Sequence, residues 1–191
     1  YLTDIFLKGS FGFTWLSVHH VIQILLAVAI MALPWWRKPL SEWGLNLKNH
    51  QKTFNIILKF TIGWVFFSTI FILISQWIAG WPKLLGFYLS TENILIYLFF
   101  ESIIVGISEE IVFRGLVYGT LSPYFNKRIK LGFTISYAGL ISALFFAIAH
   151  IGFQFFPFGI TSFAPMQILV AFALGIFYAV LREETGSLLG P

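Results

Sequence analysis

Four ionisable side chains crowd one strongly apolar stretch: Glu101, Glu109, Glu110 and Arg114, in Glu101-Ser-Ile-Ile-Val-Gly-Ile-Ser-Glu-Glu-Ile-Val-Phe-Arg-Gly-Leu116. A charged group in the middle of a bilayer costs about 2.5–3.5 kcal/mol on insertion scales, so it marks function or a tight pairing. Glu110 and Arg114 stand four residues apart with the acid first, which lets them meet on one helix face. Pairing lowers the cost of burying both. Glu109 projects about 100° away around the helix, off that pair and toward a different task. A later apolar stretch carries Phe146-Ala-Ile-Ala-His150, with Gln154 one turn further along the same face. Imidazole is the side chain suited to proton traffic near neutral pH. Two carboxylates and an imidazole can activate a water or relay protons.

Other chemistries drop out. The chain has no Cys, which removes disulfides, thiolate zinc sites and thiol nucleophiles. Asp4 is the only Asp, so a paired-aspartate site is excluded. There is no His-Glu-x-x-His helix, no Gly-x-Ser-x-Gly elbow and no Gly-rich phosphate loop. Plain readings stand beside the catalytic one. Glu110–Arg114 could be a structural ion pair, and a lone membrane His commonly bonds between helices. His19, His20 and His50 read as structural or solvated, Glu101 as wetted near a membrane boundary, and Gln167 as packing.

The elements that must position these residues follow from composition. Of 191 residues 58% are hydrophobic and only 10% charged, where a soluble domain carries about 25% charged. A globule this small cannot hide so much apolar surface from water, so lipid is the expected solvent. Apolar stretches at about 13–33, 56–79, 95–120, 137–156 and 165–181 approach the ~20 residues of a membrane helix. The expected fold is all-α: a polytopic transmembrane helical bundle forming a single domain over 1–191. Five spans are visible, and more are expected beyond the C-terminal end. The chain opens on Tyr1 and stops at Pro191 straight after an apolar stretch, which reads as a piece of a longer protein.

Basic residues are scattered between the apolar runs, which speaks for membrane topology and against nucleic acid. Loops 34–55 and 121–136 are basic, with Trp35 and Trp36 as an interfacial anchor beside the first. Loop 80–94 has only Lys83, and 157–164 has no basic residue. The positive-inside rule then puts the N-terminus outside and the basic loops in the cytoplasm. At 1.5 Å per residue, Glu109 lies about 16 Å, and His150 about 20 Å, from the inner ends of their spans. The two meet if those helices are neighbours.

Glu109-Glu110-x-x-x-Arg114 followed by Phe146-x-x-x-His150 resembles the first two motifs of the CAAX prenyl protease and bacteriocin-processing (CPBP, Abi) family of intramembrane metallopeptidases. Gly175-Ile-Phe-Tyr-Ala-Val-Leu-Arg-Glu-Glu-Thr-Gly-Ser-Leu188 is similar to that family's lead-in to its last motif. The resemblance covers about 95–191. Before it, only Trp43-Gly-Leu-Asn-Leu-Lys48 and the hydropathy match.

The resemblance implies an integral protein of a prokaryotic cell membrane, an endopeptidase cleaving membrane-associated or lipidated peptides. Glu109 and His150 would activate the attacking water. Glu110, Arg114 and Phe146 would support them: Arg114 keeps Glu110 ionised, and Phe146 packs beside His150. The family is read both as a metallopeptidase and as a glutamate-activated-water enzyme. Both readings stay open here: Glu109 and His150 as ligands of a Zn2+ whose further ligand lies beyond Pro191, or catalysis without the ion. A non-catalytic scaffold or immunity protein of the same family, binding a partner membrane protein or enzyme, is the main rival. A proton-coupled transporter is a lesser one, as no inverted repeat or paired broken helix appears.

Overall fold

The computed structural model describes residues 13–33, 38–79, 100–130 and 132–191. Trp35, Trp36, Asp4, the loop 80–94 with Lys83, and the first residues of the third stretch lie outside the described residues. The chain is mostly helical. α1 is Phe13–Met31 and α2 is His50–Ala79. A continuous helix over 100–121, here α3, alternates π turns (Phe100–Val105, Glu110–Val117) with α turns (Gly106–Glu109, Tyr118–Leu121). Strands β1 (Arg128–Lys130) and β2 (Thr134–Ser136) form a short antiparallel hairpin leading into α4, Tyr137–Ile148. A second antiparallel hairpin, β3 (Gly152–Phe155) and β4 (Phe158–Ser162), precedes α5, Pro165–Thr185.

Several expectations change. The fourth span was expected to be helical over 137–156, but α4 stops at Ile148, and Gln154 sits in β3 rather than one turn beyond His150. Hydropathy records apolarity, and a short apolar run does not by itself separate helix from strand. The second span starts early: His50 is the first residue of α2, not a loop residue. The two hairpins also break an all-α description. Among the described residues, His50–Ile70 within α2 and Pro165–Thr185 are long and apolar enough to cross a membrane. Val18–Met31 and Tyr137–Ile148 are apolar but shorter.

Among the described elements, α4 packs most extensively on α5, through small residues four apart on each helix. Gly139, Ala143 and Ala147 face Ala171, Gly175 and Ala179, and all six are buried. A Cβ on Gly175 would lie 3.1 Å from the Ala143 backbone, so the two backbones are already in contact there. Such seams allow close approach where lipid supplies no hydrophobic force between helices. α4 begins on Ser136, whose hydroxyl accepts from Gly139 N–H at 3.0 Å and donates to Glu183 of α5 at 2.5 Å. α5 starts with Pro at its first turn and ends on Gly186 in the left-handed conformation (φ 71°), as helix start and stop signals prescribe.

The non-helical segment 38–49 clasps the ends of α3 and α5. Trp43 is buried against Gly119, whose added Cβ would lie 2.7 Å from the indole. Lys38 donates to Gly119 O at 3.0 Å. Asn46 donates to Gly186 O and Asn49 to Thr185 O, each at 2.9 Å. Leu188 N–H donates to Gly44 O at 2.8 Å, and the Ser187 hydroxyl to Asn46 O at 2.5 Å. Buried Arg182 donates to Glu42 O at 3.0 Å.

Candidate active site

Glu109 closes an α turn of α3, and Glu110 opens the π turn after it. A π turn carries an extra residue per turn and is frequent at functional sites. Arg114, fully buried, pairs with Glu110 at 3.0 Å, Nη1 to Oε1. Its Nη2 also donates to Gly175 O of α5 at 3.4 Å. The guanidinium carbon sits 4.3 Å from the ring centre of Phe146 on α4 and 5.1 Å from that of Tyr178 on α5. Both are cation–π distances. Arg114 is therefore a brace between three helices, more than the partner of one carboxylate.

Phe146 carries the brace to His150. Its ring meets Phe113 edge-on at 5.2 Å and the His150 imidazole edge-on at 4.9 Å. Its carbonyl accepts from His150 Nδ1 at 2.8 Å. A carbonyl can only accept, so Nδ1 holds the proton and Nε2 of the neutral ring carries the lone pair. That is how a backbone carbonyl fixes the tautomer of a basic or ligating His. His150 itself lies in the turn just past α4, half-buried. The Ser142 hydroxyl ties the same helix to α3, donating to Phe113 O at 2.7 Å.

Glu109, Glu110, Phe146 and His150 line one cavity of 310 Å³, joined by Gln167 and Tyr178 of α5. The depths agree. α4 has 12 residues, roughly 18 Å, and Glu109 lies roughly 18 Å from the end of α3 at Leu121. Gln167 was read as packing; it borders the cavity instead. Gln167, Ala171, Leu174 and Tyr178 follow a 4-3-4 spacing, so one stripe of α5 faces the site. A polar residue heading an apolar stripe was the available signal for Gln167.

Gln23 donates to His19 Nε2 at 3.0 Å and accepts from Ser108 of α3 at 2.9 Å. His20 packs edge-on to Phe100 at 5.8 Å. Glu110 also borders a second cleft of 340 Å³, under Gly44–Leu47. Among the described residues no group of three His, Cys, Asp or Glu is arranged to hold a metal ion. A catalytic zinc takes three protein ligands and a water, so Glu109 and His150 fall one short.

Residues 91–191, which hold Glu109, Glu110, Arg114, Phe146, His150, Gln167 and Tyr178, match the family described as type II CAAX prenyl endopeptidase, Rce1-like. The chain belongs to this family of membrane-embedded peptidases, within the wider CPBP group. It is 29% identical over 149 residues to UPF0177 protein YxdF of Lactococcus lactis subsp. lactis (strain IL1403), covering 75% of each chain. It is 28% identical over 176 residues to the membrane-embedded CAAX protease MroQ of Staphylococcus aureus (strain USA300). That alignment covers 90% of this chain and 66% of the relative, just under two thirds of its length. No solved structure matches the chain.

Proposed function

We propose that the chain is an intramembrane endopeptidase of the CAAX-protease type, cleaving membrane-associated or lipidated peptides with water activated by Glu109 and His150. The observation that carries this reading is the convergence of Glu109 and His150 on one cavity, with Glu110 bound by a buried Arg114. Glu109 takes a proton from the water as its oxygen bonds to the scissile carbonyl carbon. The same proton then passes to the amide nitrogen as the C–N bond breaks, the usual path of general acid–base hydrolysis. His150, with its Nδ1 proton committed to Phe146 O, turns its Nε2 lone pair to the water. The Gln167 amide and the Tyr178 hydroxyl are the side-chain donors on this cavity that can meet the developing oxyanion.

Glu109 and His150 are the residues of this chain that would hold a Zn2+ ion, which when bound would polarise the attacking water. In the cell the protein sits in a prokaryotic plasma membrane with its basic loops in the cytoplasm and its N-terminus outside. Membrane lipid is its constant partner.

The test is cleavage of prenylated CAAX peptides, and of unmodified membrane peptides, by the chain reconstituted in bilayers. Glu109→Gln should lower the rate by about 10²–10⁴-fold, the span of a general base, while the melting temperature stays at the parental value. A folded Glu109→Gln protein that cleaves at the parental rate sinks the assignment.

A further inference from the structure

The hairpin that follows His150 is amphipathic. Its register pairs Phe153 with Ile160 and Gln154 with Gly159, so neighbouring pairs present opposite faces. Phe158 shares the face of Phe153, and the two rings stack with centroids 6.4 Å apart. Gln154 and Gly159 make the other face. The apolar side chains are not covered by the rest of the chain: Phe156 is 88% exposed, Phe158 75% and Ile160 61%. No Asp, Glu, Lys, Arg or His occurs anywhere from 151 to 181. The exposed apolar surface continues onto Phe163, Met166 and Leu169 at the start of α5.

The place of the hairpin along the membrane normal follows from α5. That helix has 21 residues, about 31 Å, against ~30 Å of bilayer hydrocarbon. Its C-terminal end carries the charges, with Arg128 on Glu183 at 2.7 Å and Lys52 on Glu184 at 3.1 Å. Its other end begins at Pro165, directly after the hairpin. The return of the hairpin into α5 therefore stands where the hydrocarbon ends, and β3 climbs toward it from the end of α4. Its two outer edges carry unpaired N–H and C=O groups, which hydrocarbon would leave unsatisfied and the headgroup layer can hydrate.

We propose that β3–β4 lies in the lipid headgroup boundary with its Phe153/Phe158/Ile160 face toward the acyl chains and its Gln154/Gly159 face toward water. It is a membrane-docking element in its own right. It begins two residues after His150 and ends five residues before Gln167, both of which line the cavity. By holding this boundary, it fixes the depth of the cavity below the lipid surface. The proposal rests on the membrane-embedded family and not on the peptidase mechanism.

The absence of Cys makes the test background-free. Phe158→Cys, Ile160→Cys, Gln154→Cys and Gly159→Cys each take one nitroxide in the full chain, reconstituted in phosphatidylcholine–phosphatidylglycerol vesicles. Tyr124→Cys, at a site 80% exposed in the basic loop, is the aqueous reference. A Cβ at 159 meets only Gln154, at 3.8 Å, so that glycine accepts the change. Collision rates are read with oxygen, which concentrates among acyl chains, and with a nickel chelate confined to water. The oxygen-to-nickel ratio should be several-fold higher at 158 and 160 than at 154, 159 and 124. Equal nickel access at 158 and 124 would overturn the proposal. So would protection of 158 and 160 from both reagents, because then protein, such as a second copy of the chain, covers that face. Both readings are independent of peptide cleavage, so a failed depth pattern and a failed peptidase assignment cannot be confused.

Discussion

Where α3 and α5 end, the segment 38–49 is bound by hydrogen bonds aimed mostly at backbone carbonyls: Gly119, Thr185, Gly186, Glu42 and Asn46 all accept from side chains. About 18 Å further into α3, at the cavity, the helices are held by Arg114, by the Ser142 bond to Phe113 O and by the small-residue seam between α4 and α5. Carbonyl-directed bonds at the clasp survive most changes of neighbouring charge. At the cavity much of the fixing rests on one charged group, and Glu109, His150, Gln167 and Tyr178 border the space beside it. The contrast separates a region built for fixity from a region built for reactivity. It also says where each kind of mutation should be felt.

The largest stability effect belongs at the cavity brace. Arg114→Ala leaves the Glu110 carboxylate buried without its cation and removes both cation–π contacts. A loss of about 3–5 kcal/mol is expected, read as a collapse in folded yield in detergent. A folded Arg114→Ala protein with parental melting would break the comparison. An intermediate effect belongs at the clasp. Gly44 has φ 89°, and an added Cβ would lie 2.6 Å from Arg182 Nε. Gly44→Ala should cost about 1–3 kcal/mol through strain and overpacking, seen as a lower melting temperature with cleavage retained in the folded fraction. The smallest effect is at the clasp's rim. The Lys52–Glu184 pair is about half exposed, so Lys52→Ala should change stability by about 0–1 kcal/mol. A drop as large as that of Gly44→Ala would show that surface charge, not carbonyl bonding, holds that end together.

Glu109, Glu110, Arg114 and His150 were legible because charge in an apolar stretch is conspicuous, and the spacing places Glu110 beside Arg114. Their meeting depended on α3 and α4 being neighbours, which the Ser142 bond to Phe113 O and the Arg114–Phe146 contact arrange. The end of α4 was not legible from hydropathy: Gly152-Phe-Gln-Phe155 is as apolar as a helix, and pairing with Phe158–Ser162 across the Phe156-Pro157 turn makes it a strand. The clasp was equally hidden. Trp43 and Asn46 stood out only within a stretch similar to the family, and their partners lie far along the chain, on α3 and beyond α5. Tyr178 was quoted only within an apolar lead-in, and its place beside Arg114 required the orientation of α5.

The seam between α4 and α5 carries one more consequence. The spacing between the two halves of the cavity is set by atoms that are missing, because Gly175 lets its backbone touch Ala143. A search for essential positions guided by reactive groups would pass over both residues. In a saturation library they should nonetheless score with the acids and the imidazole, as chemically blank positions whose emptiness is the measuring gauge of the site.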